Sequence, residues 1–289
     1  MQSTNPTSLP ENEAQIVATT FTRKRHYLSA EMVERYWRDV HGVLFARCPG
    51  LLQYFQLHFE TPVADVWQHL EGVGQVCPPE EAYSGIAEFV IKAQEQLQQF
   101  AGSKLMTEYG YEDEQNLVAG SYAYFSFNGL TRTLKDVTST SEPQGAPREM
   151  HLVACYRKQE AVSLEDFRHY ITDALAPLFA DNPNVLKVRI HPLEPYDEKA
   201  WTSPNVAHHL PENKQYQAWI ELAFASPFAL RAFVDQVSVS EVYQAQARLI
   251  QAIHTFPLKA KYTLIYDGKP TLVGLRGYPA AEIIWKMNA

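Results

Sequence analysis

Residues 29–59, SAEMVERYWRDVHGVLFARCPGLLQYFQLHF, overlay residues 163–193, SLEDFRHYITDALAPLFADNPNVLKVRIHPL, about 134 positions further along the chain. Ser29/Ser163, Glu31/Glu165, Tyr36/Tyr170, Asp39/Asp173, Leu44/Leu178, Phe45/Phe179 and Pro49/Pro183 coincide. A second pair of blocks, Tyr83 to Glu88 and Tyr216 to Glu221, follows at almost the same displacement. One unit has been written twice, which predicts a pseudo-twofold molecule. The copies differ at one informative place: the first carries His41 on the apolar side of its helix, where the second carries Leu175. Chemistry, if there is any, belongs in the first copy.

Working outward, AQIVATTFT (14–22) has the β-branched content of a strand. Ser29 is placed to cap a helix whose apolar side carries Val33, Trp37, Val40, His41, Leu44 and Cys48, and Pro49-Gly50 ends it. LLQYFQLHF (51–59) follows as a strand with Tyr54, Gln56 and His58 on one face. Residues 83–91 make a third strand, 93–100 a helix and 121–127 a fourth strand. The second copy repeats this order: strands at 150–156, 185–191, 216–224 and 261–266, helices at 163–180 and from Phe228 to about His254. A short helix is expected after Pro279. The loop 192–214 is long enough to be functional or mobile.

Two βαββαβ repeats predict an α+β chain in which two fused ferredoxin-like units, each with one bare sheet face, cover one another within one chain, an arrangement that the resemblance given below implies is an intramolecular dimeric α+β barrel. The expected organisation is a disordered arm over 1–13, a first repeat over 14–128, a linker over 129–149 rich in Gly, Pro, Ser and Thr, and a second repeat over 150–289.

The string VERYWRDVHGVLFARCPGLLQYFQLH (33–58) and the tail VGLRGYPAAEII (273–284) resemble the EthD-like branch of the dimeric α+β barrel superfamily in its long, fused form. The superfamily includes polyketide cyclases, lactone isomerases, small monooxygenases and haem-binding proteins. The resemblance therefore implies a ligand cavity between sheet and helices and, often, a histidine in acid–base catalysis. It places His41 where the family motif has its histidine.

His41 is the leading candidate for a general base, since an imidazole near neutrality can take a proton from a carbon acid or phenol and return it. The competing reading is a buried histidine bonded to a backbone carbonyl. His58 is a second candidate proton carrier. Trp37, Tyr54, Tyr83, Phe89 and Tyr124 are candidate substrate-binding residues, with simple core packing as the alternative. Asp39, matched in the copy without the histidine, reads as structural. So do Tyr36 and the matched Glu88 and Glu221, while His208-His209 reads as a solvated pair.

No metal-ligand spacing and no nucleotide, elbow-serine or zincin motif occurs, and no cofactor is expected. Haem, with His41, His58 or His254 as axial ligand, is the alternative. The expected function is a cofactor-independent cyclase or isomerase acting on an apolar aromatic or polyketide-like molecule. A haem protein and a non-catalytic small-molecule binder remain open, and so does a homodimer of the fused chain.

With 289 residues, 46% of them hydrophobic, the chain can bury a sizeable core. A net charge of -8 disfavours nucleic acid and membrane surfaces as partners. Cys48, Cys77 and Cys155 read as free thiols in a reducing compartment. With no secretory start and no apolar run of spanning length, the cytoplasm is the expected location.

Overall fold

The structure is a computed structural model that describes residues 10–277. Most of the arm expected over 1–13 and the helix expected after Pro279 lie outside the described residues. Residues Pro10–Glu13 form a 3-10 turn, and the Asn12 side chain exchanges hydrogen bonds with the Thr133 backbone, at 2.9 and 3.1 Å.

The first repeat runs β1 (Ile16–Lys24), α1 (Ala30–Tyr36), a π-turn (Trp37–His41), α2 (Gly42–Phe45), β2 (Gln53–Phe59), β3 (Gly85–Ile91), α3 (Gln94–Ala101), a second π-turn (Met106–Gly110), α4 (Tyr111–Leu117) and β4 (Val118–Phe127). After β5 (Arg132–Asp136) and β6 (Gln144–Gly145) comes the second repeat: β7 (Met150–Lys158), α5 (Leu164–Tyr170), a π-turn (Ile171–Leu175), α6 (Ala176–Ala180), β8 (Val185–Pro192), β9 (Ala218–Phe224), α7 (Pro227–Val237), α8 (Glu241–Gln244), α9 (Gln246–Leu249) and β10 (Ile250–Tyr266). The duplication is visible atom by atom at the helix starts. Ser29 Oγ accepts from Met32 N at 3.2 Å and Ser163 Oγ from Asp166 N at 3.0 Å, which satisfies one otherwise unpaired helix N–H in each copy.

Antiparallel pairing gives the order β4-β1-β3-β2-β10-β7-β9-β8-β5. Each repeat thus contributes a four-stranded ferredoxin-like sheet, β4-β1-β3-β2 and β10-β7-β9-β8. Two seams join them. β10 pairs with β7 in its first half and with β2 in its second, from Leu258↔Phe59 to Ile265↔Tyr54. On the other side the chain leaving β4 turns through Asn128 and Gly129, both at positive φ, and continues as β5 against β8. The last strand of each repeat therefore runs on to pair with the second strand of the other, closing an intramolecular α+β barrel.

Two expectations shift. Part of the segment 129–149, expected as a linker, is the seam strand β5. The helix expected to run to about His254 gives way after Leu249 to a 17-residue strand. In that stretch, pairing with β7 decides the conformation over local propensity.

Three apolar layers result. Phe21, Tyr83, Tyr124, Val153, Trp219 and Phe256 belong to the barrel lumen, and each sheet's outer face packs on its own helices. The matched glutamates face the lumen and are partnered there. Glu88 Oε1 accepts from Arg189 Nη2 at 2.5 Å and Nε at 3.2 Å, and Glu221 binds Lys261 Nζ at 2.8 Å through both oxygens.

The long loops are exchanged between repeats. Trp67, in the β2–β3 connection, stacks on Phe179 of the second repeat and donates Nε1–H to Thr255 at 2.9 Å. Trp201, in the β8–β9 connection, enters the helical layer of the first. Among the described residues no helix is long and apolar enough to cross a membrane.

Candidate active site

The site is built where the helix of the first repeat is drawn down onto its sheet. Two glycines permit the approach. A Cβ on Gly42 would lie 2.5 Å from Gln56 Nε2, and one on Gly85 would lie 2.7 Å from the Trp37 indole. The π-turn Trp37–His41 inserts one extra residue into the helix, a device that recurs at functional sites because it re-aims side chains. It turns both Trp37 and His41 inward, where they are buried.

His41 Nδ1 lies 2.8 Å from Asp113 Oδ2, on α4. The other Asp113 oxygen accepts from Tyr36 OH at 2.5 Å, and Asn116 Nδ2 donates to the same tyrosine oxygen at 3.3 Å. Burial tends to raise the Asp113 carboxyl, but the hydrogen bonds from His41 and Tyr36 outweigh it and hold the group below the usual carboxylate range. Burial and Asp113 push the Tyr36 hydroxyl up to about 12, so it remains a donor. With Asp113 holding Nδ1, the remaining ring nitrogen is the one available for chemistry. His41 lines a small cavity with Thr20, Trp37, Phe45, Phe89 and Glu114. As it stands, the cavity, about 10 Å³, has room for one water at most.

Trp201 packs behind three of the lining residues, Phe45, Phe89 and Glu114. Its indole lies 6.3 Å or less, centroid to centroid, from Phe45, Phe89, Phe100 and Tyr111. Nε1–H reaches both Glu114 oxygens at 3.1 Å, and the hydroxyls of Ser203 and Ser121 also donate to Glu114. His208 fastens the loop, with Nδ1 2.8 Å from Ser121 O and Nε2 accepting from Ser203 N at 2.8 Å. It is half-buried, so the expectation of a solvated His208-His209 pair holds only for His209, which is exposed beside Glu198.

Of the residues singled out from the sequence, Trp37, His41 and Phe89 come together around the cavity. Tyr54 is stacked on Phe89 at 4.6 Å and lies behind the lining. His58 stacks on Trp37 at 4.4 Å, with Nε2 3.3 Å from Gln56 Oε1, and does not line the cavity. Burial pushes its pKa down to about 3, so it is neutral at physiological pH. Tyr83 and Tyr124 belong to the lumen cluster, on the opposite face of the sheet from His41. Asp39 is engaged by Arg38 and Arg276, in keeping with a structural task.

Asp113, Glu114 and Trp201 went unrecognised in the sequence. The duplication carried the signal: Trp67 and Trp201 are displaced like the other matched pairs, whereas Asp113 and Glu114 face Ala247 and Arg248 in the second copy.

The residues do not fit a haem. His58 and His254 lie within packed layers, the latter with Nδ1 2.7 Å from Tyr216 OH and its pKa pushed down by burial to about 4. The cavity that His41 lines, about 10 Å³, is far smaller than a porphyrin.

Residues 25–121 match the EthD domain. The match lies within the first repeat and is called the EthD domain below. Among solved structures, an anthrone oxidase-like protein shares the fold at a TM-score of 0.53 and 10% identity, over 88% of this chain and 95% of that one. A provisionally named monooxygenase of Fusobacterium nucleatum subsp. nucleatum aligns at 0.49 and 7% identity, over 89% and 97%. A dye-decolorizing peroxidase of Bacteroides thetaiotaomicron aligns at 0.44 and 9%, over 90% and 96%. At such identities the likeness is one of fold. No curated protein matches the sequence. The EthD match ends at residue 121, so Trp201, which donates to the lining residue Glu114, comes from outside it.

Proposed function

We propose that the EthD domain is a cofactor-independent acid–base catalyst. His41 removes a proton from a small, planar, apolar carbon acid or phenol and returns it at another position, as in isomerisation or cyclisation. The observation that carries the reading is the 2.8 Å contact of His41 Nδ1 with Asp113 beside a cavity that His41 itself lines. Asp113 fixes the tautomer and stabilises the imidazolium that forms on proton uptake.

Trp37 supports the same chemistry. It lines the cavity, and its buried Nε1–H has no hydrogen-bond partner among the described residues, which suits it to donate to an oxygen that gains charge as the proton leaves. Phe45 and Phe89 supply an apolar seat. Substrate enters when Trp201 swings out, and its return excludes water from the reacting centre.

The test is exchange of the methylene protons of anthrone, a planar carbon acid, followed by NMR in deuterated buffer. The wild type accelerates exchange over buffer. Asp113→Asn lowers the rate by about 10²–10⁴-fold and His41→Asn at least as much, both with an unchanged circular dichroism spectrum. Exchange by His41→Asn at the wild-type rate would remove His41 from the mechanism.

A further inference from the structure

Outside the EthD domain the barrel carries a second, chemically different cavity. The segment from Thr138 to Glu149 borders about 510 Å³ of space, whose buried wall is made by His151, Lys187 and Lys261. These three come from β7, β8 and β10 and converge on one carboxylate that is wholly buried, Glu221 of β9.

Lys261 Nζ lies 2.8 Å from both Glu221 oxygens. His151 Nδ1 lies 3.2 Å from Oε1, and Lys187 Nζ is 3.6 Å from Oε2 and 2.9 Å from Asp136. Lys261 is 3% exposed and sits over the Phe55 ring at 4.9 Å, so its head group is largely deprived of water. The network faces open space bordered by the hydroxyls of Thr138, Ser139 and Thr140 and by the exposed Arg148.

We propose that Lys261 is a nucleophilic amine that forms an imine with a small, polar carbonyl compound held in this cavity. Desolvation beside a second cationic group is the known way to make a lysine nucleophilic at neutral pH. Burial, together with the Lys187 charge, pushes the Lys261 ammonium below the ordinary lysine range against the pull of Glu221.

The ammonium first gives up one proton, to cavity water or the free nitrogen of His151. The amine lone pair then forms the C–N bond. The two remaining amine protons depart with the carbonyl oxygen as water, leaving C=N. Glu221 is the positioning residue that holds Lys261 and His151 on either side of the reacting carbon.

The probe is glyoxylate with sodium cyanoborohydride, whose hydride reduces the C=N bond to a stable secondary amine. The sites are mapped by peptide mass spectrometry on the whole protein at short times. The expected result is that Lys261 labels before every other lysine, including the 80%-exposed Lys104. Lys187→Met should slow labelling at Lys261 and leave Lys104 unchanged, a split that loss of fold would not produce. His41→Asn should label like the wild type, so the outcome is independent of the EthD site. Labelling of exposed lysines while Lys261 stays unmodified in the wild type would overturn the proposal.

Discussion

Trp201→Ala should destabilise the protein and make it responsive to indole. The side chain is 8% exposed, makes ring contacts with Phe45, Phe89, Phe100 and Tyr111, and donates to Glu114. Truncation leaves a void on the order of 100 Å³, which at about 24 cal/mol per Å³ costs about 2.4 kcal/mol before the lost transfer energy. Glu114 also loses a buried donor, worth about 1–3 kcal/mol. The expected loss is about 3–5 kcal/mol, a fall of about 1–2 M in the urea midpoint. Indole at about 100 times its Kd should return about 2.7 kcal/mol to the variant and nothing comparable to the wild type, whose seat is filled. Urea titration by circular dichroism, with and without indole, measures both numbers. A loss below about 1 kcal/mol, or equal stabilisation of the two proteins by indole, would refute the view that this side chain fills and closes the EthD cavity.

Arg189→Met, which strands Glu88 in the lumen, should cost about 3–5 kcal/mol in urea unfolding, and adding Glu88→Leu should recover most of it. Additive losses in that cycle would mean the two side chains do not act as a pair. Acid should weaken the fold earlier than carboxylate titration alone accounts for. His58 and His254 are held to about 3 and about 4, while in the unfolded chain they protonate near 6.5. Stability is therefore full above about pH 6.5 and is lost as pH falls through that window, at up to about 1.4 kcal/mol per pH unit for each histidine. His58→Phe should flatten the slope measured between pH 6 and 4.

Much of the architecture was legible because the chain states it twice. Matched N-caps, matched helix ends and alternating strands each repeat, so a weak local signal gains a second witness. His41 stood out because its counterpart is Leu175. What escaped notice was held by neither periodicity nor motif. Asp113 sits in a run of acidic residues, YEDEQNL, that reads as a solvated helix face until the fold brings α4 against the π-turn. Tyr36 looked structural because Tyr170 matches it, yet Tyr36 donates to Asp113 while Tyr170 donates to the Val242 carbonyl. One residue type serves two tasks once its surroundings diverge. The seam strand β5 was hidden in a composition typical of linkers, because its conformation is set by a partner strand more than fifty residues away.

Fusion explains why the two halves could part ways. In a symmetric homodimer every change at the helix that carries the site appears twice, and so does any loss of packing it causes. In one chain the second copy is free to place Ile171, Leu175 and Ala176 where the first has Trp37, His41 and Gly42, and Ile171, Leu175 and Ala176 are fully buried within an uninterrupted apolar layer. The first copy carries the opposite burden: a buried histidine, an indole N–H without a partner among the described residues, a carboxyl group relying on donors from elsewhere, and two glycines that bring helix and sheet together. Such features weaken a core, and the partner compensates by lending Trp201, Ser203 and the strand β10 that pairs with β2. The EthD domain is therefore half of a working unit. Glu114, which lines its cavity, is held by an indole that lies eighty residues beyond the end of the domain.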